Sequence, residues 1–162
     1  MLKLRILLLT LLAIISCNCQ NTVKKSPVQK EIIEDKYVLA FLGEKNYEIL
    51  SSVQEVIRFK IKKHLLEGTT NEYSNKLIIQ DTLTNSKRDD LIKQLLNDTS
   101  YNWTAVTKTK DFEPTHQVLL KSNNGRLNLL IDKEFKNVGF INLEGQKMVV
   151  VTKEFSLFLS NM

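Results

Sequence analysis

Asp111, Glu113 and His116 fall within the six residues Asp111-Phe112-Glu113-Pro114-Thr115-His116, the densest group of possible ligands and proton carriers in the chain. Carboxylates two apart on an extended segment can share a face. An imidazole three residues further on could swing beside them, to hold a hard divalent ion or complete an acid/base pair for hydrolysis. The competing reading is a solvated loop, with Pro114 marking entry into a strand, and no second histidine or glutamate motif reinforces the ligand reading. His64, the only other histidine, follows Lys60, Lys62 and Lys63 and reads as a surface residue among cations. Serine nucleophile elbows, phosphate-cradling glycine loops and zinc-protease helices do not occur. No cofactor is implied, and an enzyme is the less favoured class. Tyr101 and Trp103, next to a turn, are candidates for an exposed partner-binding patch, since both ring types favour interfaces; packing beneath a sheet is their other reading.

The elements that would position these residues can be read from periodicity. Between Glu31 and Ser51 a short apolar element, interrupted by Gly43, fits either helix or strand. Val56 to Ile61 alternates, with Ile57, Phe59 and Ile61 against Arg58 and Lys60, as a half-buried strand does. Gly68 to Asn71 is turn material, and Leu77 to Gln80 reads as a second strand. Ser86-Lys87-Arg88-Asp89 fits a capping box before Leu91, Ile92, Leu95 and Leu96, which predicts an amphipathic helix over Lys87 to Asn97 with Asp89 and Asp90 in its first turn. Gln117 to Lys121 and Arg126 to Asp132 flank Asn123-Asn124-Gly125, a hairpin signal. Val138 to Leu143 and Lys147 to Val151, joined around Glu144-Gly145, repeat the arrangement. Thr152 is a plausible N-cap for a last helix that buries Phe155, Phe158 and Leu159. The expected fold is α+β: an antiparallel sheet of about five strands built from hairpins, covered on one face by the inserted helix and the C-terminal helix.

Composition bounds the partners. Hydrophobic residues at 43% and charged residues at 25% suit a globular domain. Removing Lys3 and Arg5 from 23 basic residues leaves 21 against 18 acidic ones, a net charge of +3, too mild and too dispersed for a nucleic-acid face. Both cysteines, Cys17 and Cys19, precede the body, so the domain has neither a disulfide framework nor a thiolate metal site.

The N-terminus has the layout of an export signal. Lys3 and Arg5 form a positive start, and Ile6 to Ile15 is an apolar run interrupted only by Thr10. That run is about half of the roughly 20 residues a membrane-crossing helix needs. It ends in Ile14-Ile15-Ser16-Cys17, which resembles the lipobox of bacterial lipoproteins. The resemblance implies that residues 1–16 are a signal peptide and that Cys17 carries a diacylglycerol thioether and becomes the acylated first residue. Two or three acyl chains anchor a protein almost permanently, because each buried methylene contributes about 0.8 kcal/mol. Asn18 rather than Asp follows the cysteine, which by the sorting rule of enteric lipoproteins implies the outer membrane, facing the periplasm. Residues 17–30 then form the lipidated cysteine and a polar tether, with a reach on the order of 20 Å. Cys19 is a spare thiol there or the source of an intermolecular disulfide.

Residues 31–162 form a single domain in this reading. The order of Val53 to Ile61, Leu91 to Tyr101, Pro114 and the strands around Asn123-Asn124-Gly125 is similar to that of small uncharacterised lipoproteins of Bacteroidetes. Those carry cysteines near the positions of Lys110 and Lys136, which this chain lacks, and the resemblance supplies no activity. The leading expectation is a non-enzymatic, lipid-anchored envelope module that binds an envelope protein or component through its sheet or loops. A hydrolase or metal enzyme built on Asp111, Glu113 and His116 is one alternative, and an inhibitor or immunity-like protein is another.

Overall fold

The chain divides into two units, Met1–Ile33 and Glu34–Met162, and the computed structural model describes residues 36–107, 112–143 and 145–162. The expected signal peptide, Cys17 and the tether lie outside the described residues, as does Asp111.

The ambiguous stretch before Ser51 is helical: α1 (Lys36–Leu42) and α2 (Glu44–Ser51) are separated by Gly43, whose φ of 81° breaks the helix. That left-handed conformation is open to glycine at no steric cost. Next come β1 (Glu55–Leu65), β2 (Tyr73–Thr82), α3 (Asn85–Leu96), a 3₁₀ turn at Asp98–Ser100 and β3 (Tyr101–Asn102). Then follow β4 (Pro114–Ser122), β5 (Gly125–Asp132), β6 (Asn137–Asn142), β7 (Gly145–Val151) and α4 (Lys153–Asn161).

The fold is α+β, and the sheet is larger than expected. Seven antiparallel strands run in the order β2-β1-β4-β5-β6-β7-β3. Tyr101–Asn102 adds an edge by pairing with Val150 and Val151, too short a segment to carry a period-2 signal. Both hairpins form, with Ser122 opposite Gly125 and Asn142 opposite Gly145. The strand β1 extends well past Ile61, because Lys62, Lys63 and His64 pair with Lys76, Asn75 and Ser74 across β2.

Two helices were expected and four are described. The inserted helix starts earlier than its sequence suggested. Leu83 is buried and its N–H donates to Val56 O at 2.9 Å, which pins the chain as it leaves β2. Thr84 therefore takes the N-cap position, and Asp89 and Asp90 fall beyond the first turn. Arg88 turns to Gln54 O and Asp89, both at 2.8 Å, in place of the capping box. The last helix forms as expected, with the Thr152 hydroxyl accepting from the Phe155 N–H and with Phe155 and Leu159 buried.

All four helices cover one face of the sheet. Val38, Leu50, Leu91, Leu95 and Phe155 meet Val56, Leu120, Leu129 and Val138 in one core. Its leucines and valines bury apolar surface at about 25 cal/mol per Å². Asp98 ties the edge of this layer together: its carboxylate accepts from the Tyr37 and Val38 N–H groups at 3.2 and 2.8 Å, satisfying orphan donors at the start of α1.

Candidate binding surface

The register of β1 decides what the other face presents. Val56 stands opposite Leu120 and Arg58 opposite Val118, on the helix-covered side. Side chains alternate across a strand, so Ile57, Phe59 and Ile61 face away from the helices. The apolar side of the alternation is real, but it does not join the core. One row of directly opposed residues crosses the sheet on this open face: Ile79, Phe59, Gln117, Leu130, Gly139 and Met148. Ile57 and Leu119 pair in the next row, and Ile61 and Leu77 in the row on the other side.

Polar groups on this face are matched internally. Gln117 Nε2 donates to Asn128 Oδ1 at 2.8 Å, and Lys121 Nζ donates to Glu55 Oε2 at 2.8 Å. Glu113 pairs with Lys63, each holding the other in its charged form: the lysine is raised and the glutamate lowered from its usual range, chiefly by their hydrogen bond. Phe112 lies on the face beside Gly139 and Gln146. Hollows of about 460 and 450 Å³ flank this ring, the first bounded by Leu130 and Met148, the second by Ile61, Lys63 and Asn75. Among the described residues, the face is a mostly apolar floor, interrupted by the Gln117–Asn128 pair, with paired charges at its margin.

The residues singled out for metal or acid/base chemistry are not brought together. Glu113 is exposed and bonded to Lys63 on the open face, whereas His116 opposes Lys60 and Ile131 on the helix side. Three residues apart on an extended segment, they fall on opposite sides of it. Among the described residues no group of three His, Cys, Asp or Glu side chains could hold a metal ion.

His116 instead borders a hollow of about 270 Å³ with Arg58, Phe135, Leu159 and Met162. Its Nδ1 lies 3.0 Å from the Thr115 hydroxyl, and its ring packs on Phe135 at 5.3 Å. Burial first, then the charges of Lys60 and Arg58, lower its pKa below the ordinary 6.5. Arg58 is itself bound to Asp81 through two hydrogen bonds of 2.6 Å. The lowered pKa leaves the imidazole neutral and makes it a weaker proton acceptor. His64 is exposed near the end of β1, as its cationic neighbours suggest.

Tyr101 and Trp103 do not form an exposed patch. Tyr101 is 5% exposed and donates its hydroxyl to Leu95 O at 2.7 Å. Burial, with the Asp98 charge adding to it, holds its phenol far above the usual range. Trp103 is half-buried, donates Nε1–H to Asp98 O at 2.9 Å, and packs against Tyr37, Phe41 and Tyr101. They join an aromatic layer between α1, the edge strand and α4, and anchor the fold.

The sequence reading offered the sheet as a binding surface but named none of the residues of its open face, although a signal for them exists. Val118-Leu119-Leu120 and Leu129-Leu130-Ile131 are unbroken apolar triplets, the mark of strands apolar on both sides. No protein-family model, curated protein or solved structure matches this chain. No helix among the described residues is long and apolar enough to cross a membrane.

Proposed function

We propose that this protein is a non-enzymatic binding module of the bacterial cell envelope, lipid-anchored through Cys17 on the outer membrane and facing the periplasm, whose open sheet face receives an envelope protein. The observation that carries the binding reading is the row Ile79, Phe59, Gln117, Leu130, Gly139 and Met148 on the face away from the helices, apolar but for Gln117, whose amide is taken up by Asn128. Contiguous apolar surface is uncommon on monomers and marks interaction sites. A protein partner fits better than a small ligand. The floor is a broad sheet with hollows to either side of Phe112, and its margin carries paired charges, as the polar rim of a protein interface does. The anchor reading is carried by Ile14-Ile15-Ser16-Cys17 behind a short apolar run.

A photocrosslinker at Leu119 of the membrane-held chain tests the binding reading, with one at Lys153 on the helix side as control. A single adduct of defined mass from Leu119, lost on Leu130→Lys, supports it. An adduct of equal yield from Lys153, or none from Leu119, refutes it. Cys17→Ser tests the anchor: the protein should leave the membrane fraction and lose its acyl mass.

A further inference from the structure

The two edges of the sheet are unlike. One ends in the two-residue strand β3, too short to template another chain, and the other ends in the ten-residue strand β2. Beyond Lys60, β1 has no further pairing with β4, so the outer part of the β1–β2 ribbon runs on as two strands. Natural edges are blunted by proline, by bulges, by shortness or by charged side chains, lysine above all, and the charges on β2 are Lys76 and Asp81. The strand β2 contains no proline, and its one irregularity lies between Ile79 and Asp81, near its end. Leu77, Ile78 and Ile79 are 46%, 37% and 67% exposed.

We propose that β2 pairs antiparallel with β2 of a second copy, about a two-fold axis at Ile78, joining the two sheets edge to edge. The sequence of the strand selects this register. With the axis at Ile78, Leu77 of each copy opposes Ile79 of the other on the open face. Lys76 then falls beside the Gln80–Asp81 step of the other copy, where the irregularity brings Asp81 to the same face as Lys76 and Ile78. Aliphatic residues meet aliphatic ones, the pairs that stabilise adjacent strands, and Lys76, opposite Gln80, comes diagonally toward Asp81, which Arg58 of its own copy already binds. An axis at Lys76 would set Lys76 against itself and Leu77 against Asn75. An axis at Ile79 would set Leu77 against Asp81 and Ile78 against Gln80, and one at Leu77 would set Ile78 against Lys76 and Ile79 against Asn75. The register centred on Ile78 avoids all of these mismatches.

Such pairing is isologous and closes as a dimer. It leaves Leu119 and Leu130 uncovered, so it stands or falls separately from the docking of an envelope protein on the open face.

The test is disulfide trapping in the full chain carrying Cys19→Ser, oxidised in the membrane of a bacterial host, with the Cys19→Ser chain as baseline. Ile78→Cys should yield a disulfide of twice the chain mass that is absent from the baseline and from Asn71→Cys on the hairpin turn. Adding Lys76→Glu should lower the yield several-fold, since like charges across strands repel. Copies with Leu77→Cys and Ile79→Cys, expressed together, should cross-link better than either alone, which keeps the register testable if Ile78→Cys disturbs the fold. Absence of the dimer from both designs, equal yield from Asn71→Cys, or an adduct of another mass would overturn the proposal.

Discussion

Arg58 and Phe59 are neighbours in β1 that serve opposite faces of the sheet. Arg58 lies on the helix side and binds Asp81 through two bonds of 2.6 Å, while Phe59 lies on the open side between Ile79 and Gln117. The register of β1 on β4 fixes both orientations: Val56 enters the core against Leu120, and every second residue follows it.

The Arg58 hydrogen bonds hold the Asp81 carboxyl below its ordinary value of 3.8. A depressed folded pKa means that the contribution is complete above the unfolded value and is lost as pH falls through the folded one. The Asp81 side chain is 43% exposed, so solvent screens the pair, and Asp81→Asn should cost under about 1 kcal/mol at neutral pH. Urea unfolding should show the parent losing stability more steeply than the variant below about pH 4.

His116 titrates in a different window. Burial, then Lys60 and Arg58, lower its folded pKa below 6.5. Its contribution to stability is therefore complete above the unfolded value and declines as pH falls toward the folded one. NMR of the imidazole should give a midpoint below 6.5, and His116→Asn should flatten the decline in stability between neutral pH and that midpoint.

Tyr101→Phe should destabilise the domain by about 1–3 kcal/mol, because it leaves the Leu95 carbonyl without its buried donor. Ultraviolet titration should show that the Tyr101 phenol does not ionise at the usual tyrosine value in the folded protein, and does so once the protein is unfolded.

The two faces should respond differently to truncation. Leu129, buried beneath the helices, should cost about 2–5 kcal/mol as Leu129→Ala. Leu77 is 46% exposed on the open face, and Leu77→Ala should change stability by about 0.5 kcal/mol or less. Midpoints of urea unfolding at constant slope check both.

Short-range signals in the sequence located much of this fold. Asn123-Asn124-Gly125 and Gly145 place two hairpins, and Thr152 with Phe155 and Leu159 places the last helix, because turns and caps depend on neighbouring residues. The fold's long-range decisions were not legible. Alternation shows that Ile57, Phe59 and Ile61 share a side, but which side meets the helices depends on pairing with β4, about 60 residues away. Tyr101 and Trp103 could be exposed or packed until α1 and α4 were positioned around them. Glu113 and His116 could be neighbours in a loop, but their odd spacing sends them to opposite faces where the segment is extended.

Thiol labelling at Leu119 tests the central claim most directly. In a Cys19→Ser background, Leu119→Cys should react readily with a maleimide in the purified chain, resist it in the proposed envelope setting, and react again after extraction. Leu129→Cys should be protected throughout. A bare face in isolation and a shielded one in place is the expected result; labelling of Leu119→Cys at one rate in every setting would contradict the docking surface.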